Sequence, residues 1–124
     1  ARAYMNNEEV ASGLLTGKSW DTVCKWLQNS GININDSTTY GNYGEYGYGK
    51  KQVTGYSEDW KVKNIYDLAG NTDEWINEAY SSYRVVRGGH YYFPGISRPV
   101  SNRIGDVVSN VDSYSSFRLQ LYIK

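Results

Sequence analysis

The chain has 124 residues, enough for one modest domain with its own core and too few for two. Its 13 basic side chains balance 13 acidic ones, so no net field attracts nucleic acid or an anionic membrane. Hydrophobic residues make up 40%, yet no apolar run approaches membrane length, no signal-peptide pattern opens the chain, and the lone Cys24 rules out an internal disulfide.

In chain order, Ala1 to Met5 reads as the end of a helix closed by Asn6 and Asn7. Residues 16 to 31 predict a helix, with Thr16 as N-cap and Gly31 as the stop. Trp20, Val23, Cys24 and Leu27 share one face, which makes Cys24 a buried small hydrophobe rather than a nucleophile. Trp26 lies off that face and is free to contact another element.

Residues 31 to 59 form a long excursion in which Tyr40, Tyr43, Tyr46 and Tyr48 alternate irregularly with Gly41, Gly44, Gly47 and Gly49. Neither the helical nor the strand period fits. Two readings stand: a glycine-linked flap covering the core, or a binding loop. Gly44 to Lys50 imitates the start of a phosphate-binding loop, but Lys51 stands where serine or threonine is needed and no apolar strand leads in.

Residues 60 to 75 carry the apolar anchors Trp60, Val62, Ile65, Leu68 and Trp75, with a turn at Gly70 and Asn71. Asp67, Asp73 and Glu74 are close enough in sequence to join Asn71 around calcium, or to serve as turn caps and solvent-facing charges. Residues 83 to 87 suit a strand, and Gly88–Gly89 permit a sharp bend after it. The closing "SSFRLQLYIK" reads as one strand that buries Phe117, Leu119, Leu121 and Ile123 and turns Arg118, Gln120 and Tyr122 the other way.

Between these strands, residues 90 to 115 have little period, but they hold large rings followed by Ser, Asn and Asp. Rings supply rigid contact area and small polar groups supply directional hydrogen bonds. The opposite reading turns the rings inward. Catalytic groups are sparse. His90 is the sole histidine, which excludes a histidine cluster for zinc, and a Cys24–His90 pair would need a buried helix face to open. Arg84, Arg87, Arg98 and Arg103 make a thin basic set for nucleic acid, and Arg87 and Arg118 suit structural pairing with carboxylates.

Four stretches, "GLLTGKSWDTVCKWL" (13 to 27), "NIYDLAGNTDEW" (64 to 75), "RVVRGG" (84 to 89) and "SFRLQLYIK" (116 to 124), resemble the formylglycine-generating enzyme (sulfatase-modifying factor) superfamily. The resemblance implies an α+β, C-type-lectin-like fold with a short twisted antiparallel sheet, two helices and long loops. Catalytic members hold copper on cysteines in the C-terminal half. Here no cysteine follows Cys24, and Leu119-Gln120-Leu121 stands after Phe117-Arg118 without one, so no catalytic residue, cofactor or metal is expected. Thr72 and Asp73 also depart from the family pattern.

The chain looks more like a non-enzymatic branch, the variable proteins of diversity-generating retroelements. That resemblance implies one ligand-binding domain over residues 1 to 124, forming the C-terminal part of a longer protein on a phage virion or bacterial surface. It implies a protein or cell-surface receptor as partner, with glycan possible and neither nucleic acid nor membrane insertion. The contact positions it implies are His90, Tyr91, Tyr92, Phe93, Ser97, Ser101, Asn102, Asp106, Asn110, Asp112, Ser113 and Tyr114, with Arg103 as a scaffold anchor. A fixed-sequence structural or assembly module of the same fold is the alternative.

Overall fold

The computed structural model describes residues 9–110 and 112–123. It is an α+β structure, with β1 (Val10–Leu14), α1 (Gly17–Asn29), a 3-10 turn (Glu58–Trp60), β2 (Lys61–Val62), β3 (Ile65–Tyr66), β4 (Asp73–Tyr80), β5 (Tyr83–Arg87), β6 (Arg103–Asp106), β7 (Ser115–Phe117) and β8 (Leu119–Ile123). The main sheet has the order β6-β5-β4-β7, in which β7 runs parallel to β4 and the other neighbours are antiparallel. β1 and β8 form a separate antiparallel ribbon that pairs Val10 with Ile123 and Leu14 with Leu119.

The helix forms where its pattern predicts. Thr16 accepts a hydrogen bond from the Ser19 amide at 3.1 Å, and Gly31 leaves the helix with φ +82°. Its first turn holds no acidic residue; the Glu78 carboxylate from β4 sits there instead, so close that a Cβ on Gly17 would fall 2.0 Å from it. The inward face places Trp20, Cys24 and Leu27 against Val62, Leu68, Ala69, Ile76, Val85 and Val100. The Trp20 indole N–H donates to the Val100 carbonyl at 2.9 Å, so the largest core side chain leaves no polar atom unpaired.

Two expectations need correction. Among the described residues there is one α-helix rather than two; the other helical turn is the three-residue Glu58–Trp60 segment, and the helix end expected at Ala1 to Met5 lies outside the described residues. The second correction concerns the C-terminal strand, which breaks at Arg118. Phe117, Leu121 and Ile123 are 60%, 52% and 92% exposed instead of buried, and only Leu119 is half-buried.

Arg118 is the cause. Its guanidinium leaves the strand to bond both oxygens of the buried Glu74, at 2.7 and 2.9 Å, and the carbonyls of Tyr66 and Asp67 at 3.0 and 3.3 Å. That grip separates β7, which joins the main sheet, from β8, which joins β1. Alternation does not survive such a break, and the exposed Phe117 lines an apolar groove of about 450 Å³ with Leu14, Trp75, Ile76 and Val108.

Removing one partner of a buried ion pair leaves an uncompensated charge. Arg118→Met should therefore lower the unfolding free energy by about 3 kcal/mol. Ile123→Ser, at an exposed position, should change it by less than about 0.5 kcal/mol. Urea unfolding of the two variants checks both values.

Candidate functional site

The site begins where β5 ends. Gly88 and Gly89 both take left-handed backbone, with φ +90° and +74°. A Cβ on Gly89 would fall 2.1 Å from the Arg98 carbonyl, so no other residue fits without moving the loop. The Gly88 carbonyl accepts from the Gly70 amide at 2.8 Å. The hydroxyl of the half-buried Tyr43 lies 2.9 Å from that same carbonyl and 2.8 Å from the Arg98 carbonyl, so its one proton serves both ends of the loop. Burial pushes the Tyr43 phenol far above its usual range, which keeps the proton in place.

The tyrosine–glycine excursion divides its work. Tyr40 and Tyr43 pack on the core, while Tyr46 and Tyr48 are exposed. Gly49 approaches the Tyr91 carbonyl so closely that a Cβ would fall 1.9 Å from it, and the Gly47 amide donates to the Tyr92 carbonyl at 3.0 Å. The excursion therefore cradles the backbone of residues 91 and 92.

On that cradle five rings meet. His90 lies 4.7 Å from Tyr114 and 5.1 Å from Phe93, centroid to centroid. Tyr91 and Tyr92 stand 5.5 and 6.1 Å from Tyr114. These rings come from two segments far apart in sequence. His90 is buried, Tyr91, Phe93 and Tyr114 are half-buried, and Tyr92 is exposed. The rings are thus neither a core nor a free-standing display: His90 forms the floor and the others form the upper surface.

The small polar positions behave differently. Ser97, Asn110, Asp112 and Ser113 are exposed, whereas Ser101, Asn102 and Asp106 are half-buried. Asp106 accepts from the Val107 amide and the Asn110 side chain, each at 2.7 Å, and so caps the turn after β6. Asp112 caps the Tyr114 amide at 2.8 Å. Ser101 bonds Asn35 at 3.1 Å and lines a cavity with Cys24 and Gln28 of α1, away from the rings. Arg103 anchors the frame by pairing with Glu78 and covering the Tyr80 ring.

Three residues join the rings without having been expected there. Tyr46 sets its edge against Phe93 at 5.9 Å, and the Arg98 guanidinium lies 4.6 Å over the Phe93 face. Asp73 lies beneath, its Oδ2 3.7 Å from His90 Nε2 and its Oδ1 buried without a partner. The Tyr92 amide donates to His90 Nδ1 at 3.3 Å, which places the imidazole proton on Nε2, toward Asp73. Burial, then Arg98, pushes the His90 pKa down, so the ring is neutral near pH 7. Burial raises Asp73 to about 7, with Asp106 and Asp112 adding to the rise and Arg98 opposing it.

The calcium grouping does not assemble. Asn71 spends its side-chain oxygen on Asn42 and the Gln52 amide, at 3.0 and 2.9 Å, Glu74 holds Arg118, and Asp67 accepts from the Gly55 amide at 2.8 Å. Asp67, Asp73 and Glu74 are buried rather than solvent-facing, and the described residues contain no cluster of three or more His, Cys, Asp or Glu fit for a metal. Cys24 is also no nucleophile: burial raises its thiol pKa, and its sulfur faces the Val100 carbonyl.

Asp73 binds its proton more tightly folded than unfolded, so between about pH 4 and pH 7 its contribution makes stability fall as pH rises. His90, with a lowered pKa, works oppositely below about 6.5. Asp73→Asn should remove the first effect. The variant should gain stability over the parent at pH 8 relative to pH 5, on the order of 1 kcal/mol or more, measured by denaturant unfolding at both pH values.

No protein-family model and no curated protein matches the chain. Its fold is similar to that of Treponema denticola variable protein 1, with a TM-score of 0.67 at 20% sequence identity. The match covers 96% of this chain and 50% of that one, so the chain spans about half of its neighbour's length. This chain's architecture, one α-helix among the described residues with small sheets and long loops, is consistent with the C-type-lectin-like fold that the sequence implied.

Proposed function

We propose that the chain is a non-catalytic ligand-binding module whose ring cluster and surrounding polar loop recognise a protein or cell-surface receptor. The observation that carries this reading is the convergence of Tyr91, Tyr92, Phe93 and Tyr114 over a His90 floor, on a backbone cradle independent of their side chains. Clustered tyrosines, with exposed Ser97, Asp112 and Ser113 in the same two loop segments, have the composition of binding hot spots with a polar rim. The broad, ring-rich surface suits a protein partner better than a small enclosed ligand. Fold likeness to a protein named as variable supports the further step, that the loop is diversified in the manner of retroelement variable proteins and is carried on a phage virion or bacterial surface. Within that reading the contacts come from the expected loop positions other than Ser101, which faces α1, and His90, which is buried beneath the rings, and the chain is part of a longer protein.

A second reading has one observation in its favour. The outward row of Phe117, Leu121 and Ile123 is what an assembly module of fixed sequence would offer a neighbour. An oxidase of the formylglycine-generating type has no support in the buried, high-pKa Cys24.

Deep sequencing of the gene across its natural population separates the two. Under the binding reading, substitutions concentrate between His90 and Tyr114 and spare Gly88, Gly89 and Arg118. Sparse, evenly spread variation would sink the diversification step. In parallel, Tyr92→Ala should shift the unfolding free energy by less than about 1 kcal/mol, because the ring rests on the frame rather than supporting it.

A further inference from the structure

α1 has an outward face that the ring cluster does not use. Lys18, Thr22, Lys25 and Asn29 follow one another along it at helical spacing, with Asp21 and Trp26 beside them. Together with Asn77 and Glu78 of β4 they line an open groove of about 880 Å³. Trp26 is 46% exposed there, in contrast to the 1% of Trp20 about one and two-thirds turns earlier. Among the described residues its indole meets no other ring and its N–H has no acceptor.

The polar groups of the groove divide into engaged and free. Asp21 pairs with Arg87 at 2.5 Å, and Glu78 pairs with Arg103 and covers the helix start. Each carboxylate is thereby neutralised by an arginine. Lys18 and Lys25 form no ion pair among the described residues, and the side-chain amides of Asn29 and Asn77 form no hydrogen bond there. What remains is an aromatic platform, two amides that each donate and accept, and two uncompensated positive charges.

We propose that this groove is a second binding site, for an acidic saccharide. A sugar ring lays its C–H face on the Trp26 indole, as apolar bodies with polar rims do on aromatic platforms. Asn29 and Asn77 then reach its hydroxyls as paired donors and acceptors. Lys18 and Lys25 meet its carboxylate. The volume falls within the span of small-ligand sites, about 300–1,000 Å³. Two lysines are too few to track a nucleic-acid backbone, and the polar walls do not suit a lipid tail.

The intact protein should be titrated with a hyaluronan tetrasaccharide and sialyllactose as acidic probes, and with chitotetraose and maltotetraose as neutral ones. The readout is the Trp26 indole N–H resonance, assigned from Trp26→Phe. At least one acidic probe should shift it, and each neutral probe should bind at least about tenfold more weakly, a difference of about 1.4 kcal/mol. Trp26→Ala should abolish binding measured by calorimetry, and Lys18→Gln with Lys25→Gln should weaken it about tenfold and flatten its salt dependence. Tyr92→Ala should leave it unchanged, which keeps this site separate from the ring cluster. The proposal is overturned if no saccharide moves the Trp26 resonance, if neutral and acidic probes bind equally, or if Trp26→Ala binds as the parent does.

Discussion

The structure depends on a left-handed exit from its main sheet. At Gly88 and Gly89 the chain turns through backbone angles that a side chain would forbid, with the Leu68 and Arg98 carbonyls pressed against the empty Cβ positions. The turn lets the Gly88 carbonyl receive both the Gly70 amide and the Tyr43 hydroxyl. Three segments distant in sequence are thus tied to one peptide: the tyrosine–glycine excursion, the turn before β4 and the ring-bearing loop. Without it, His90 would not lie over Asp73, and the rings would have no floor.

A second constraint acts on the far side of β4. Glu74 is taken out of water and Arg118 is its compensation, with two carbonyls completing the guanidinium's bonds. Adjacent residues of one strand thus point to two electrostatic environments, Glu74 to a satisfied ion pair and Asp73 to a neutral histidine. Alternation along a strand makes this possible, since neighbours face opposite sides of the sheet. The same ion pair divides the C-terminal strand and so turns an apolar row outward.

Local features were legible in the sequence. The helix announced itself through Thr16, its 3.6-residue apolar face and Gly31, because caps and period act over a few residues. The Gly88–Gly89 bend was legible for the same reason, and so was the structural use of Arg87 and Arg118. Pairing between distant segments was not. β1 pairs with β8 from the opposite end of the chain, and its short VASGL carries no period strong enough to declare a strand. The alternation of Phe117, Leu119, Leu121 and Ile123 marked two faces but could not say which one would be covered. In the site, the rings and their loop were visible as composition. Tyr46, Arg98 and Asp73 were not, because each reaches the cluster only through the fold. Sorting Ser101 from the other small polar positions likewise required knowing that its stretch turns toward α1.

The cradle beneath Tyr91 and Tyr92 is built from peptide groups on both sides: an amide of Gly47, the carbonyls of the ring loop and the bare Cα of Gly49. Peptide groups are common to every amino acid. Such a support is indifferent to what the residues above it are, much as a typesetter's frame is indifferent to the letters it holds. The exception is His90, whose Nδ1 takes the Tyr92 amide and whose ring is buried against Asp73. A change of side chain at Tyr91 or Tyr92 therefore leaves the peptide contacts of the cradle in place, whereas a change at His90 removes the acceptor of the Tyr92 amide and the ring over Asp73.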